Sequence, residues 1–234
     1  MHFFLWDSTM LIIIPAVILA AIAQMRVRSA FGKWSKVPAR SGYTGAQAAQ
    51  ALLRQGVVQL GGQGVGLGAV AIQEGSGFLS DNYNPANHTL NLSPEVYEGN
   101  SIAALAVAAH ETGHAFQHAT GYGALALRSI LVPCATAGQL SWILFIVGMF
   151  ARAPFLQNIA IWIFAGATLF TFVTLPVEYN ASSRAAVLLE QSGIIAVDEM
   201  PGVRSVLGAA ALTYVAAALM AALQLLRMIM LRRD

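Results

Sequence analysis

Long apolar runs alternate with shorter polar stretches along the chain, and their lengths set the first expectation. One apolar block runs from about Ser8 to Met25, a second from about Ser129 to Phe150, a third from about Phe155 to Leu175, and a last from about Val206 to Leu226. Each is long enough for a helix to cross the hydrocarbon core of a bilayer, which takes about 20 residues. Only Ala151-Arg152-Ala153-Pro154 separates the second block from the third, so these two are predicted to form a tight transmembrane hairpin. The last block carries Ala209, Thr213, Ala217 and Ala221 at intervals of four. Small residues at that spacing let helices approach closely in lipid, which reads first as packing within one subunit.

The polar stretches carry shorter elements. TGAQAAQALLRQ, residues 44 to 55, predicts a short helix with Thr44 as its N-cap. Beyond it, AVAIQ and HTLNLS are β-prone pieces separated by Gly, Asn and Pro clusters, and they predict a small meander. Gly64-Val65-Gly66-Leu67-Gly68-Ala69 loosely matches a dinucleotide fingerprint but leads into a strand rather than a helix, so it reads as a flexible turn. Ser101 or Asn100 can cap a helix that continues to about Ala119. After Pro176, VEYNASSRAAVLLEQSG has helical periodicity and stops at Gly193, before a loop from Asp198 to Gly202. The resulting organisation is an anchor (1–26), a membrane-proximal region (27–128), a hairpin (129–177), a helix and loop (178–205), and a C-terminal span with a basic tail (206–234).

Composition sharpens this picture. Hydrophobic residues make up 57% of the 234 positions and charged ones only 10%, whereas soluble domains carry about 25% charged residues. A net charge of +2, scattered and without a basic stripe interleaved with aromatics, argues against nucleic acid as a partner. Cys134 is the single cysteine, so neither an internal disulfide nor a cysteine-based zinc knuckle is available; it reads as a small core residue. Ala21-Ile22-Ala23 resembles a signal-peptidase site, yet no Lys or Arg precedes the first block, while Arg26, Arg28, Lys33, Lys36 and Arg40 follow it. That order reverses a signal peptide's and predicts an uncleaved anchor with its N-terminus outside. Four spans would then leave Arg227, Arg232 and Arg233 outside, so either the tail snorkels or the final segment does not fully cross.

The chemistry lies in AVAAHETGHAFQHATG, residues 106 to 121. His110-Glu111-Thr112-Gly113-His114 is an H-E-x-x-H pattern within strongly helical flanks. Positions i and i+4 share a helical face, about 6 Å apart along the axis, so two imidazoles can converge on one zinc ion while Glu111 takes a proton from water. A catalytic zinc needs a third protein ligand. His118 lies about 12 Å along the axis from His110, too far for zinc–nitrogen bonds of about 2 Å. It is left as a supporting group, a substrate contact or a polar spot on a wet face. The metzincin extension also fails, because Gln117 and Thr120 stand where Gly and His would be required. Glu178 is the promoted carboxylate: two spans separate it from His114, so both fall on one side of the membrane, close to its boundary. Glu74, Asp81, Glu95 and Glu98 share that side from loops of unfixed placement.

AVAAHETGHAFQHATGYGALALRSILVP, TLPVEYNASSRA and AALTYVAAALMAALQLLR closely resemble the YugP-type "putative neutral zinc metallopeptidase" family of bacterial membrane proteins. QMRVRSAFGKWSKVPARSGYTGAQAA and GFLSDNYNPANHTLNLSPEVY extend the resemblance over nearly the whole chain. It implies His110, His114 and Glu178 as zinc ligands and Glu111 as catalytic base. The expected fold is mainly α: a polytopic membrane protein with about four transmembrane helices and a small α+β, zincin-like catalytic region. The expected activity is peptide-bond hydrolysis with one catalytic zinc. Arg184, Tyr179 and His118 are candidates to steady the transition state, and the partners would be peptide or protein substrates, membrane proteins among them, and the lipid bilayer. The plasma membrane with a cytoplasmic catalytic face is the expected location; no oligomeric state is read. Two departures stand out: relatives often read TDHYDP where this chain has Ser80-Asp81-Asn82-Tyr83-Asn84-Pro85, and the Gly62 to Gly68 run looks longer than usual. The rival class is a scaffold or chaperone with a structural zinc site; a transporter is disfavoured because the spans hold almost no ionisable residues.

Overall fold

The computed structural model describes residues 9–77 and 80–233. The expected start of the first apolar block at Ser8, and Phe78 and Leu79 of the GFLSDNY segment, lie outside them. The elements are α1 (Met10–Trp34), α2 (Gly45–Leu60), a 3-10 turn (Gly61–Gly64), α3 (Val65–Gly68), β1 (Ala71–Glu74), β2 (Asn82–Asn84), β3 (Thr89–Leu92), α4 (Pro94–Tyr97), α5 (Ile102–Ala119), α6 (Gly123–Phe150), α7 (Pro154–Ser192) and α8 (Met200–Arg233). They fall into two compact units. One comprises Met1–Gln24, Ala126–Pro176 and Leu212–Asp234; the other comprises Met25–Leu125 and Val177–Ala211.

The described residues of the first unit are largely apolar helix. α1, α6, α7 and α8 are each long and apolar enough to cross a membrane. Phe145, Ala160 and Met228 form its fully buried cluster. Small residues set the helix spacing: a Cβ on Gly138 would lie 2.3 Å from the Ala167 methyl, so glycine is what lets α6 meet α7 there. Hydroxyls are satisfied along their own helices, Thr168 donating to Phe164 O at 2.9 Å and Ser141 to Gly138 O at 2.6 Å. Large apolar side chains such as Ile130, Phe150, Phe155 and Trp162 are more than two-thirds exposed, which suits lipid as their solvent. Arg227 is buried: its Nε donates to Thr9 Oγ1 at 3.1 Å and its guanidinium lies 5.5 Å from the Trp142 ring centroid. Helix packing and a cation–π contact engage this cation.

The second unit is built around α5. Ser101 caps that helix, its Oγ accepting from Ala104 N at 3.1 Å. The preceding backbone is pinned on segment 37–39, with Ile102 N donating to Val37 O and Ala39 N to Asn100 O. α2 packs along α5 and starts with a full capping box, Thr44 and Gln47 each bonding the other's backbone N–H. Buried Leu52, Leu67, Ile102, Leu105 and Leu189 belong to one apolar cluster. The exposed Arg40 guanidinium pairs with Asp198, while buried Glu199 accepts from Arg40 N and Ala196 N, each at 2.9 Å.

Three local expectations change. The strands do not form a meander: their order is β1-β3-β2, with β3 parallel to β1 and antiparallel to β2. β3 is the most buried strand, and a central place satisfies both of its edges. The glycine-rich stretch is largely helical rather than a flexible turn, because α2 continues to Leu60 and is followed directly by the 3-10 turn and α3. Gly56 does not stop α2; it makes room for the Phe116 ring, whose Cζ would lie 2.3 Å from an added Cβ. Finally, the third apolar run and the helix expected after Pro176 are one 39-residue helix with that proline inside it.

Gly56→Val is therefore expected to lower stability by about 1–3 kcal/mol through overpacking, read as a lower melting temperature in detergent. Gly62→Ala, where an added Cβ meets nothing within 4 Å, should leave that temperature nearly unchanged.

Candidate metal centre

α5 presents His110 and His114 one turn apart, and α7 brings Glu178 to them. His110 Nε2 lies 3.2 Å from Glu178 Oε2, and His114 Nε2 lies 3.5 Å from the same oxygen. The imidazoles meet edge to face, with ring centroids 4.9 Å apart and planes at 85°. One ligand atom from each of the three residues lies within 4.8 Å of the others. Ligands on zinc bonds of about 2 Å in a tetrahedral arrangement stand about 3.3 Å apart, so the two nitrogen–oxygen separations already suit a shared ion.

The close approach depends on Gly113, in the middle of the motif. A Cβ there would lie 2.6 Å from the Ala181 carbonyl oxygen. Glycine lets the backbones of α5 and α7 touch, and Glu178 lies one turn from that contact on α7. Thr112, on another side of α5, is fully buried and returns its hydroxyl to Ala108 O at 2.8 Å.

Hydrogen bonds orient both rings. Gln117 Nε2 donates to Val177 O at 2.7 Å and to Asn180 Oδ1 at 3.0 Å, so its Oε1 faces His114 Nδ1 at 2.9 Å as an acceptor. The Nδ1–H of His114 is thereby engaged, and in the neutral ring the Nε2 lone pair points toward Glu178 and any shared cation. Asn180 Oδ1 also accepts from Arg184 Nε at 2.8 Å, which fixes its own orientation. Ser182 Oγ lies 3.1 Å from His110 Nδ1, placed to accept that ring N–H. Burial by itself would lower the His114 pKa; the Glu178 hydrogen bond, the charges of Glu111 and Glu178, and the Gln117 hydrogen bond together raise it above the ordinary histidine value. A cation at Nε2 therefore competes with a proton.

Glu111 is buried, at 8% exposure, and among the described residues no hydrogen bond or ion pair occupies its carboxylate. His118 points elsewhere: Tyr83 O–H donates to its Nδ1 at 2.9 Å, and the His88 ring centroid is 5.1 Å away. Burial and the nearby His88 lower the His118 pKa, while burial raises that of Tyr83, so a neutral ring accepting from a protonated phenol is the favoured pairing. Arg184 stands behind Asn180 and Gln117, and Tyr179 is half exposed, with no hydrogen bond among the described residues tying it to the three ligands. Glu74, Asp81, Glu95 and Glu98 do not join the cluster; Asp81 instead accepts from Ser93 N at 2.8 Å. Sequence reasoning missed Gln117, Asn180 and Ser182. Their signal was spacing, since Gln117 follows His114 by three positions and Ser182 follows Glu178 by four.

Gln117→Leu is expected to weaken zinc binding by about 10–100-fold without removing a ligand, and Gly113→Val to weaken it further by pushing α7 away. Zinc titration of the purified protein measures both. Lowering the pH through the raised His114 pKa should also reduce apparent affinity, because the proton then holds the ligand nitrogen.

Similarity to known proteins agrees with this geometry. The family model described as "Putative neutral zinc metallopeptidase" matches residues 9–233. "Putative membrane protease YugP" of Bacillus subtilis (strain 168) is 43% identical over 219 residues, covering 93% of each chain. No solved structure gives a significant match. With its two-histidine, one-glutamate cluster and a family match running nearly end to end, the chain belongs to the "putative neutral zinc metallopeptidase" family.

Proposed function

We propose that the protein is a membrane-embedded zinc metallopeptidase that hydrolyses peptide bonds, with His110, His114 and Glu178 holding the ion. The observation that carries this reading is a cluster that holds three ligands, with no fourth among the described residues, beside buried Glu111, whose carboxylate no hydrogen bond or ion pair among those residues occupies. Structural zinc sites are closed by four protein ligands, whereas catalytic ones keep a position open. When bound, zinc supplies a Lewis acid that polarises a peptide carbonyl and makes water acidic enough to attack near neutral pH.

The chain's own residues do the rest. Glu111 takes the proton from the attacking water and passes it to the leaving amine. Gln117 and Ser182 hold the two imidazoles in the orientation that leaves Nε2 free. Asn180 and Arg184 fix Gln117 in turn, so Arg184 acts by positioning. His118, carried by the metal helix itself and held by Tyr83 of β2, is the group we assign to steady a developing oxyanion. Substrates would be peptides or proteins, membrane proteins among them. We place the protein in the plasma membrane, and the cations that follow the first apolar run favour an external N-terminus with the site facing the cytoplasm. A reporter fused at the N-terminus should read as external. The scaffold reading is less well supported, since a structural site has no need of Glu111.

Glu111→Gln is expected to keep its zinc while losing about 10²–10⁴-fold in turnover of an unfolded protein such as casein. Chelation should abolish wild-type turnover and added zinc restore it. Metal analysis beside the turnover assay checks both, and a Glu111→Gln protein with full activity would exclude this mechanism.

A further inference from the structure

A second constellation lies away from the metal centre, where the first apolar run gives way to cations. Arg26, Ser29, Ala30 and Lys33 occupy one face of α1 at intervals of three and four, and Arg204, Ser205, Gly208 and Ala209 occupy one face of α8. Between them lies a groove of about 590 Å³. Phe31 and Trp34 pack on the apolar cluster that includes Met200, Val203 and Val206, which holds the groove's walls together. A Cβ on Gly202 would lie 2.7 Å from the Trp34 ring, so the helices touch directly beside it. The small residues Ala30, Gly208 and Ala209 leave the space open; an added Cβ on Gly208 meets nothing within 4 Å.

The charges here are poorly compensated. Lys33 stacks over the Trp34 ring at 4.6 Å, and Arg204 reaches Glu190 only at 3.9 Å, between two exposed side chains. No ion pair among the described residues engages Arg26. Three cations and two exposed hydroxyls thus line a concave site at the end of an apolar run on α1 and at the start of one on α8. A phosphodiester offers a negative charge for the cations and oxygens for the hydroxyls, and only at a membrane boundary is it attached to acyl chains that can lie along such runs. We infer that this groove binds the headgroup of an anionic phospholipid. A choline headgroup fits poorly, because its ammonium would meet Arg26, Lys33 and Arg204.

Native mass spectrometry of the full-length protein in detergent, with dioleoylphosphatidylglycerol, dioleoylphosphatidylcholine or inorganic phosphate added, tests this. Wild type should retain one phosphatidylglycerol in preference to phosphatidylcholine. Replacing two cations together, Arg26→Gln with Arg204→Gln, should lower that affinity about thirtyfold, at the usual contribution of a cation beside an anionic lipid. Gly208→Phe, which fills the groove without altering charge, should lower it as well. Arg28→Gln with Lys36→Gln, outside the groove, should leave it within about twofold, and an unchanged melting temperature without lipid shows that each variant is folded. Equal loss in the Arg28/Lys36 variant would mean diffuse surface attraction and overturn the site. Displacement of the lipid by millimolar inorganic phosphate would overturn the lipid assignment, and retention by both groove variants would overturn the proposal entirely.

Discussion

A carboxylate with almost no exposed surface stands against two imidazoles, and the arrangement of both helices follows from that contact. Removing Glu178 from water is costly unless positive charge meets it. His110 and His114 bring their Nε2 atoms to 3.2 and 3.5 Å from its Oε2, where a shared cation would meet all three. With each Nδ1–H engaged by Gln117 or Ser182, a neutral ring turns an Nε2 lone pair toward the Glu178 oxygen, and a divalent cation between them relieves the repulsion. The same geometry therefore satisfies the protein's electrostatics and prepares a metal site. Gly113 makes it attainable, because any side chain there would separate α5 from α7.

Orientation comes from the same two helices. Gln117 lies on α5 and its partners Val177 and Asn180 on α7, so the bond that sets the His114 tautomer also docks one helix on the other. Ser182 does likewise for His110. Ligand placement and helix packing are one set of interactions. On the far side of the motif, Tyr83 ties β2 to α5 through His118, linking the small sheet to the metal helix.

A chain with so few charged residues uses each one locally. Glu199 collects backbone N–H groups from two segments while Arg40 pairs with Asp198 beside it. Arg227 is folded against Trp142 and Thr9. Arg26, Lys33 and Arg204 form the contrasting case, gathered around an open groove with little internal compensation.

Local information was legible before any coordinates. Four runs long enough to span a bilayer, the Thr44 and Ser101 caps and the spacing of His110 and His114 rest on neighbours within a few positions, and the described residues include four such helices and both caps. Strand order was not legible, because pairing β1 with β3 joins residues across a long connection whose path no periodicity records. Nor was the helical glycine stretch: Gly56 looks like a breaker until Phe116, 60 positions away, is seen to occupy its missing side chain's place. The sequence by itself determined the four long apolar helices and which residues carry ligand chemistry, since hydrophobic length and helical repeat act over a few turns. Only the tertiary structure showed Glu178 against the two histidines, Gly113 permitting that approach and Gln117 tying His114 to α7, because the contacts between α5 and α7 depend on two backbones touching and join residues 60 or more positions apart.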